Sequence, residues 1–420
     1  MRVCALVLVL VGCGSAAPEE LTPPDATLDA PPPPPFEPAL RDTRQLCKLL
    51  SNRNVFDPTP NDVQHAANVL GADLGIPVVA GDRLFILFGD TIGFTGIWPG
   101  GESHPDAVGY GLDSASAIAA DPALLCSRLG IVTLPPEQSI GPADFAGVAM
   151  VPPEGHSLGE YIHNPAGRAG ATFAQLPGDF EVPSGAFSVG DAIYVFYTTV
   201  VGPGNVDMVG SYLAKWESPG VTGPFGLQIL YAIDHRHDAA SPLGGRFINI
   251  AAEVAGDYVY LFGTGEYRKS SIHVARKRLA DLATPGGFEE LGEIVATPGY
   301  GELSVRYFPT LQRWMVLAEE LQPASNRIVA YFAEDPAGPW SAPFVVHDMA
   351  DAGFRGQYCC GSEDTCEGMQ MFNCNRTGFY GTYLFPSLIE TADSFAVTYT
   401  MSSFSPYNVA LFQATFSLDR

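Results

Sequence analysis

Residues 78–94 read VVAGDRLFILFGDTIGF, and the fold follows from how this stretch is punctuated. A turn at Gly81 and Asp82 launches an apolar run, Leu84, Phe85, Ile86, Leu87 and Phe88, which stops at Gly89, Asp90 and Thr91. A run so short, rich in branched and aromatic side chains and bounded by turn residues, predicts a strand buried on both faces rather than a helix. Asp90 stands at its end. A carboxylate taken out of water without partners costs several kcal/mol or gives up its charge, so an acid in this place is either held or used.

Four further segments repeat this grammar. Gly190 and Asp191 lead into 193–201 and then 208–216; Gly256 and Asp257 lead into 258–262 and 271–276. Arg313 precedes 314–318 and 327–333, and Ala392 with Asp393 precedes 395–401 and 408–416. The first segment is expected to continue with a strand over 114–119. The uneven spacing suits four-stranded blades with loops of different lengths, and strands buried on both faces suit blades packed between neighbours. The fold class expected is all-β, a five-bladed β-propeller, with a sixth blade only if 124–188 holds one. ESPGVTGPF (217–225) and EDPAGPW (334–340) read as one loop used twice, turn residues leading to an aromatic that caps a blade edge.

Composition narrows the function. With 22 Lys and Arg against 46 Asp and Glu, the formal charge of −24 repels phosphate backbones and excludes nucleic acid as a partner. The 45 Gly and 36 Pro fit a turn-rich β protein. Residues 1–12 read as a signal peptide, and LVGC (10–13) is similar to a bacterial lipobox in which Cys13 carries lipid; the alternative is an ordinary cleaved signal with an incidental cysteine. Residues 13–40, with Pro31 to Pro35, read as an extended tether of about 3 Å per residue. Residues 41–420 form a single domain with a cysteine-rich insertion at 355–376. The chain is therefore expected to be exported and lipid-anchored to the bacterial cell envelope, at the outer membrane or cell surface. It would touch membrane through the anchor only, as a monomer.

Six cysteines remain after export: Cys47, Cys126, Cys359, Cys360, Cys366 and Cys374. An even number in an oxidising compartment predicts disulfides: Cys47 with Cys126, and two bridges within the insertion whose pairing is left open. Adjacent cysteines are poor tetrahedral ligand spacing, and HRHD (235–238) has no distant partner, so neither metal nor cofactor is expected.

Six motifs in order, GADLG (71–75), FGDT (88–91), PSGAF (183–187), FGTGEYR (262–268), GELSV (301–305) and SPYNVALFQA (405–414), resemble the domain of unknown function numbered 4185. Some of its members are endo-D-arabinanases of glycoside hydrolase family 183. The likeness spans roughly 61–416 and implies a five-bladed propeller with an axial funnel for carbohydrate. It also implies catalysis by the two first-blade acids, matched here by Asp73 and Asp90. The long 130–176 segment and the cysteine-rich loop depart from the common pattern, and either can reshape the cleft.

Glycoside hydrolysis needs one protonated carboxyl for the leaving oxygen and one ionised carboxyl to activate water or attack carbon. Asp82, Asp191 and Asp257 recur at the same turn position and read as scaffold. Asp73, flanked by Gly71 and Gly75, and Asp90 break the repeat. Glu302 is the third candidate, as an acid or as a modulator of another carboxyl. Arg268, Tyr267 and Asn408 are candidates for binding sugar. Each has a structural alternative: a strand-end acceptor for Asp90, a turn former for Asp73, a sheet-bridging acid for Glu302, an ion pair for Arg268 and a turn closure for Asn408. The expected function is an endo-acting glycoside hydrolase cleaving furanosidic linkages of a polysaccharide, D-arabinan above others. The alternative is a non-catalytic surface propeller that binds glycan or protein.

Overall fold

The computed structural model describes residues 36–51, 67, 69, 71–92, 106–133, 161–162, 176–202, 206–222, 225–323, 325–362 and 365–419. The signal segment, Cys13, the proline run and most of 130–176 lie outside these residues. Among the described residues no helix is long and apolar enough to cross a membrane.

Among the described residues the first strand is β1 (Glu37–Ser51). A first sheet follows, from β2 (Leu74–Ala80), β3 (Arg83–Asp90), β4 (Asp106–Gly111) and β5 (Leu129–Ile131) in that order, with β6 (Tyr161–Ile162) also paired to β4. A second holds β7 (Phe180–Val189), β8 (Ala192–Val201), β9 (Asp207–Trp216) and β10 (Leu227–His235). The next sheet has seven strands: β11 (Asn249–Ala255), β12 (Tyr258–Thr264), β13 (Ser270–Arg278), β14 (Glu289–Phe308), β15 (Arg313–Gln322), β16 (Ser325–Ala333) and β17 (Phe344–Asp348). It is two four-stranded units sharing one long strand, because the first part of β14 pairs with β13 and the stretch from Tyr300 to Phe308 pairs mainly with β15. The last sheet joins β18 (Phe379–Glu390), β19 (Ser394–Phe404) and β20 (Tyr407–Asp419), and β1 completes it along β20.

The first strands of these units touch in a ring: β2 meets β7, β7 meets β11, β11 meets β14, β14 meets β18, and β18 returns to β2. The N-terminal strand thus lies in the C-terminal sheet, and Cys47 of β1 is bonded to Cys126 beside the first sheet. This disulfide ties the last unit to the first. Arg306 braces the ring from inside, donating to the carbonyls of Leu384 and Pro77 at 3.2 and 2.9 Å and pairing with Glu253 at 3.0 Å.

The quoted stretch explains why its apolar run does not alternate with polar residues. Phe85 and Leu87 enter one core with Trp216 and Val195 of the second sheet, whereas Leu84, Ile86 and Phe88 enter another with Leu49, Val409 and Leu411 of the last. Successive side chains point to opposite faces, and here both faces are covered. The turns repeat as well. Gly81, Gly190 and Gly256 have φ of 57°, 60° and 59°, the left-handed region open to glycine without penalty, and each sits in a two-residue hairpin link. The two matching loops also correspond: each joins the third and fourth strands of its unit, seating Phe225 on Trp216 and Trp340 on Phe262.

Two expectations need correction. Residues 115–120 are the helix α1 (Ala115–Ala120), not a strand; the Ser114 hydroxyl caps it by accepting from the Ala117 N–H, and the following alanines suit a helix better than a sheet. The third strand of that unit is β4 instead. The tether also ends earlier than residue 40, because Glu37 to Leu40 already pair with Asp419 to Phe416 in β1.

Candidate active site

Strand ends from several units converge on a cavity of about 410 Å³. Asp73, just before β2, and Asp90, the last residue of β3, reach it from one hairpin. The backbone builds this pair. Gly89 donates its N–H to the Asp73 carbonyl at 3.1 Å, and a Cβ on Gly89 would lie 2.4 Å from Asp73 Oδ1. Only glycine leaves room for the carboxylate. Leu74 and Gly75 then take φ of 60° and 94°, a turn that costs Leu74 backbone strain and swings Asp73 inward.

Glu302 of β14, with Tyr267 and Arg268 from the turn between β12 and β13, forms the facing wall. Tyr267 donates its hydroxyl to Glu302 Oε1 at 2.8 Å, and Tyr380 of β18 donates to Asp73 Oδ2 at 2.8 Å. Arg268, itself at φ 59°, donates Nε to Glu319 Oε2 at 3.1 Å and stands 3.8 Å from Glu302. Its guanidinium covers the Tyr267 ring at 4.6 Å and lies 5.7 Å from the Tyr380 ring, so it is fixed on three sides before any ligand arrives.

Burial decides the protonation. It holds the Asp73 carboxyl well above the usual carboxylate range, helped by repulsion from Asp90 and opposed by the Tyr380 hydrogen bond. Behind the pair, Asp106 of β4 lies opposite Asp90 in the sheet and is wholly buried. Burial and then Glu181, Asp90 and Asp73 raise it too. Glu319 is likewise raised by burial, with Arg268 pulling it down and Glu302 pushing it up. Burial opposes the charge on Arg268, but Glu319, Tyr267 and Glu302 outweigh that and strengthen it. Tyr267 and Tyr380 are pushed well up by burial and by their carboxylate partners, so both phenols stay protonated and donate. The site thus sets a carboxyl with a raised pKa, Asp73, across from a guanidinium held by Glu319 and Tyr267, Arg268.

The other lip of the cavity is apolar, formed by Phe180 and Val182 of β7, Val200 of β8, Met208 of β9 and Val206, with Phe404 and Tyr407 of the last sheet. Among the described residues no group of three or more His, Cys, Asp and Glu is placed to hold a metal. The HRHD loop is instead tied by ordinary contacts, Arg236 and His237 to Asp207 and Asp238 to the Ala240 N–H.

Of the sequence candidates, Asp73, Asp90, Glu302, Tyr267 and Arg268 share this cavity. Asn408 does not. It is fully buried and donates to the Met371 carbonyl and to Ser403 Oγ, which ties the cysteine-rich insertion beneath β20; its turn-closing alternative is the one the geometry supports. Sequence reading missed Tyr380, Glu319 and Asp106, each brought in by pairing with a distant strand and unmarked by any local motif.

The family model for the domain of unknown function DUF4185 matches residues 58–413. The chain belongs to the DUF4185 family. No curated protein matches it. Among solved structures, this DUF4185 chain is similar to a candidate hydrolase from Bacteroides ovatus ATCC 8483, with a TM-score of 0.50 and 12% identity over 84% of this chain and 87% of that one. An exo-β-1,3-galactanase from Phanerochaete chrysosporium gives 0.44 and 10% identity over 81% and 60%, the latter a part of a longer chain. The α-L-arabinofuranosidase of Podospora anserina gives 0.41 and 8% over 84% and 92%. At 12% identity the first likeness concerns the fold; the other two, at lower scores, add nothing to the assignment.

Proposed function

We propose that this DUF4185 protein is a glycoside hydrolase whose catalytic pair is Asp73 and Asp90, set at one end of a five-bladed propeller. The five sheet units, four of four strands and the first with the short β6 added to its four, and the ring of first strands support that blade count. The observation that carries the chemistry is the hairpin-end pair, two carboxyls on one cavity wall, with the pKa of Asp73 raised by burial and by its neighbour Asp90. Asp73 gives its proton to the glycosidic oxygen as the bond to the anomeric carbon breaks. Asp90, as carboxylate, activates the attacking water or attacks that carbon itself. Glu302, oriented by Tyr267, supports the developing charge, and Arg268 holds sugar hydroxyls. The family resemblance favours furanosidic linkages, with D-arabinan cut internally.

Export fits the three disulfides, Cys47–Cys126, Cys359–Cys374 and Cys360–Cys366, which persist in oxidising compartments. We place the protein at the bacterial envelope, lipid-anchored through Cys13 and acting as a monomer on an external polymer.

The test is product release from D-arabinan, L-arabinan and arabinogalactan by the parent and by an Asp90→Asn protein with the same thermal unfolding transition. Oligosaccharides released from one polymer by the parent alone establish hydrolysis and name that polymer. Release by neither, with glycan still bound by the parent, transfers the reading to a non-catalytic binding propeller.

A further inference from the structure

Glu319 of β15 is fully buried and lies behind the cavity wall rather than on it. Its surroundings are nevertheless arranged around its carboxylate. The pairing of β14 with β15 slips between Tyr300 and Leu303, which places Gly301 and Glu302 in an irregularity of the kind that re-aims side chains beside active sites. A Cβ on Gly301 would lie 2.3 Å from Glu319 Oε2 and 3.3 Å from Arg268 Cγ. The glycine gives this oxygen its place beside the arginine. The other oxygen, Oε1, accepts from Asn326 Nδ2 at 3.2 Å, and a Cβ on Gly378 would lie 2.8 Å from that same nitrogen. Two glycines thus make room for one acid and its partner.

The acid in turn seats Arg268. Oε2 accepts from Arg268 Nε at 3.1 Å, whereas Arg268 Nη2 stands 3.8 Å from Glu302 Oε2, beyond ordinary hydrogen-bond length. The inner nitrogen is committed, and the side chain, 29% exposed, meets the cavity with its outer end. Arginine carries as much rotamer freedom as any side chain, and a loose one loses it on meeting a ligand. Held by Nε, Arg268 has lost that freedom beforehand, which is how a preset group gains affinity. Burial opposes the charge on Glu319, and Arg268 is the partner that favours it. A neutral side chain in this place would avoid that cost.

We propose that Glu319 is a positioning residue for substrate recognition: it presets the Arg268 guanidinium to donate to one sugar hydroxyl, and discrimination for that hydroxyl depends on it. That the ligand is a sugar rests on the hydrolase reading of the cavity; the dependence of Arg268 on Glu319 does not.

The test is calorimetric binding to the full-length Asp90→Asn protein in detergent, so that no turnover is needed. The probes are a short linear D-arabino-oligosaccharide and two analogues of equal length, one lacking every C2 hydroxyl and one lacking every C3 hydroxyl. Arg268→Gln is expected to weaken binding of the first probe about tenfold, while one analogue, already weak on the Asp90→Asn protein, loses nothing further. Glu319→Gln is expected to weaken the first probe about threefold or more and to spare the same analogue. Gly301→Ala, which crowds Glu319 from outside the cavity lining, acts in the same direction and keeps the test open should Glu319→Gln not fold. Neither change has an effect in an Arg268→Gln background, because both act through that side chain. Equal losses on all three probes, or losses that persist without Arg268, mean that Glu319 serves only the fold and overturn the proposal. Unchanged binding in Glu319→Gln, or binding of none of the probes, overturns it as well. Arginine-dependent binding with no product released from D-arabinan by the parent protein leaves the positioning role standing and removes the hydrolase; product release with equal losses on all probes does the reverse.

Discussion

The β2–β3 and β7–β8 hairpins are built alike and end differently. Both turn on a left-handed glycine followed by aspartate, both carry a bulge in the first strand, and both bury aromatic and branched residues against neighbouring sheets. At the opposite end, β2–β3 brings Asp73 and Asp90 to the cavity, whereas β7–β8 brings Val182 and Val200 to the same cavity. The turn end of each hairpin is scaffold, constrained by backbone conformation. The far end is free to differ from unit to unit, and chemistry resides there. An acid repeated at the turns carries little information; acids at the far ends, which differ from unit to unit, carry more.

Changes at the two ends should separate activity from stability. The largest effect is expected from Asp90→Asn, a loss on the order of 10²- to 10⁴-fold in kcat with an unaltered unfolding transition. A matching loss in a Val182→Thr protein, measured on the same substrate, would erase the contrast between the two hairpins. Next, replacing both Cys47 and Cys126 by serine releases the tie between last and first sheets. Removal of a native disulfide costs about 2–5 kcal/mol, read as a lower denaturant midpoint, while kcat of the protein that remains folded is retained. At the turn end, Gly81→Ala forces a side chain into φ 57° and is expected to cost about 1–2 kcal/mol, again without change in kcat.

Smaller and more diagnostic is Tyr380→Phe. Loss of one hydrogen bond is worth about 0.5–1.5 kcal/mol, hence a fall in kcat of roughly 2- to 13-fold. That bond lowers the Asp73 pKa, so its removal moves the alkaline limb of the pH–rate profile upward. A limb that stays in place would mean that Asp73 is not the titrating acid. Asp106→Asn acts on stability. Because burial raises the Asp106 pKa, the folded state binds more protons than the unfolded chain as pH rises from the ordinary carboxylate value through the raised one, and stability falls across that window. The asparagine variant is expected to be more stable at neutral pH and to show a flatter dependence of Tm on pH.

Much of the fold could be read along the chain because its strands are local objects with local punctuation. The second and third strands of most units follow from Gly-Asp turns and apolar runs. Residues 115–120 escaped because a serine cap and small residues form a helix where the repeat called for a strand, and the two-part β14 escaped because its division depends on which neighbour each half meets. In the site, Asp73 and Asp90 were legible as breaks in a repeat, and Tyr267 and Arg268 by nearness to a strand end. Tyr380, Glu319 and Asp106 had no such mark. They act through partners 307, 51 and 16 residues away in the chain, and only sheet register and ring closure bring them there. Asn408 misled for the converse reason: a polar residue near the end of a motif can serve the backbone instead of a ligand.

The most direct measurement compares two substrates with one variant: Asp73→Asn on D-arabinan and on a 4-nitrophenyl arabino-oligosaccharide, whose phenolate leaves without needing a proton. If Asp73 supplies the proton, the variant loses its activity on arabinan and keeps most of its rate on the activated substrate, while Asp90→Asn loses both. Equal loss by Asp73→Asn on the two substrates, in a protein that unfolds like the parent, would contradict the assignment of Asp73 as the acid.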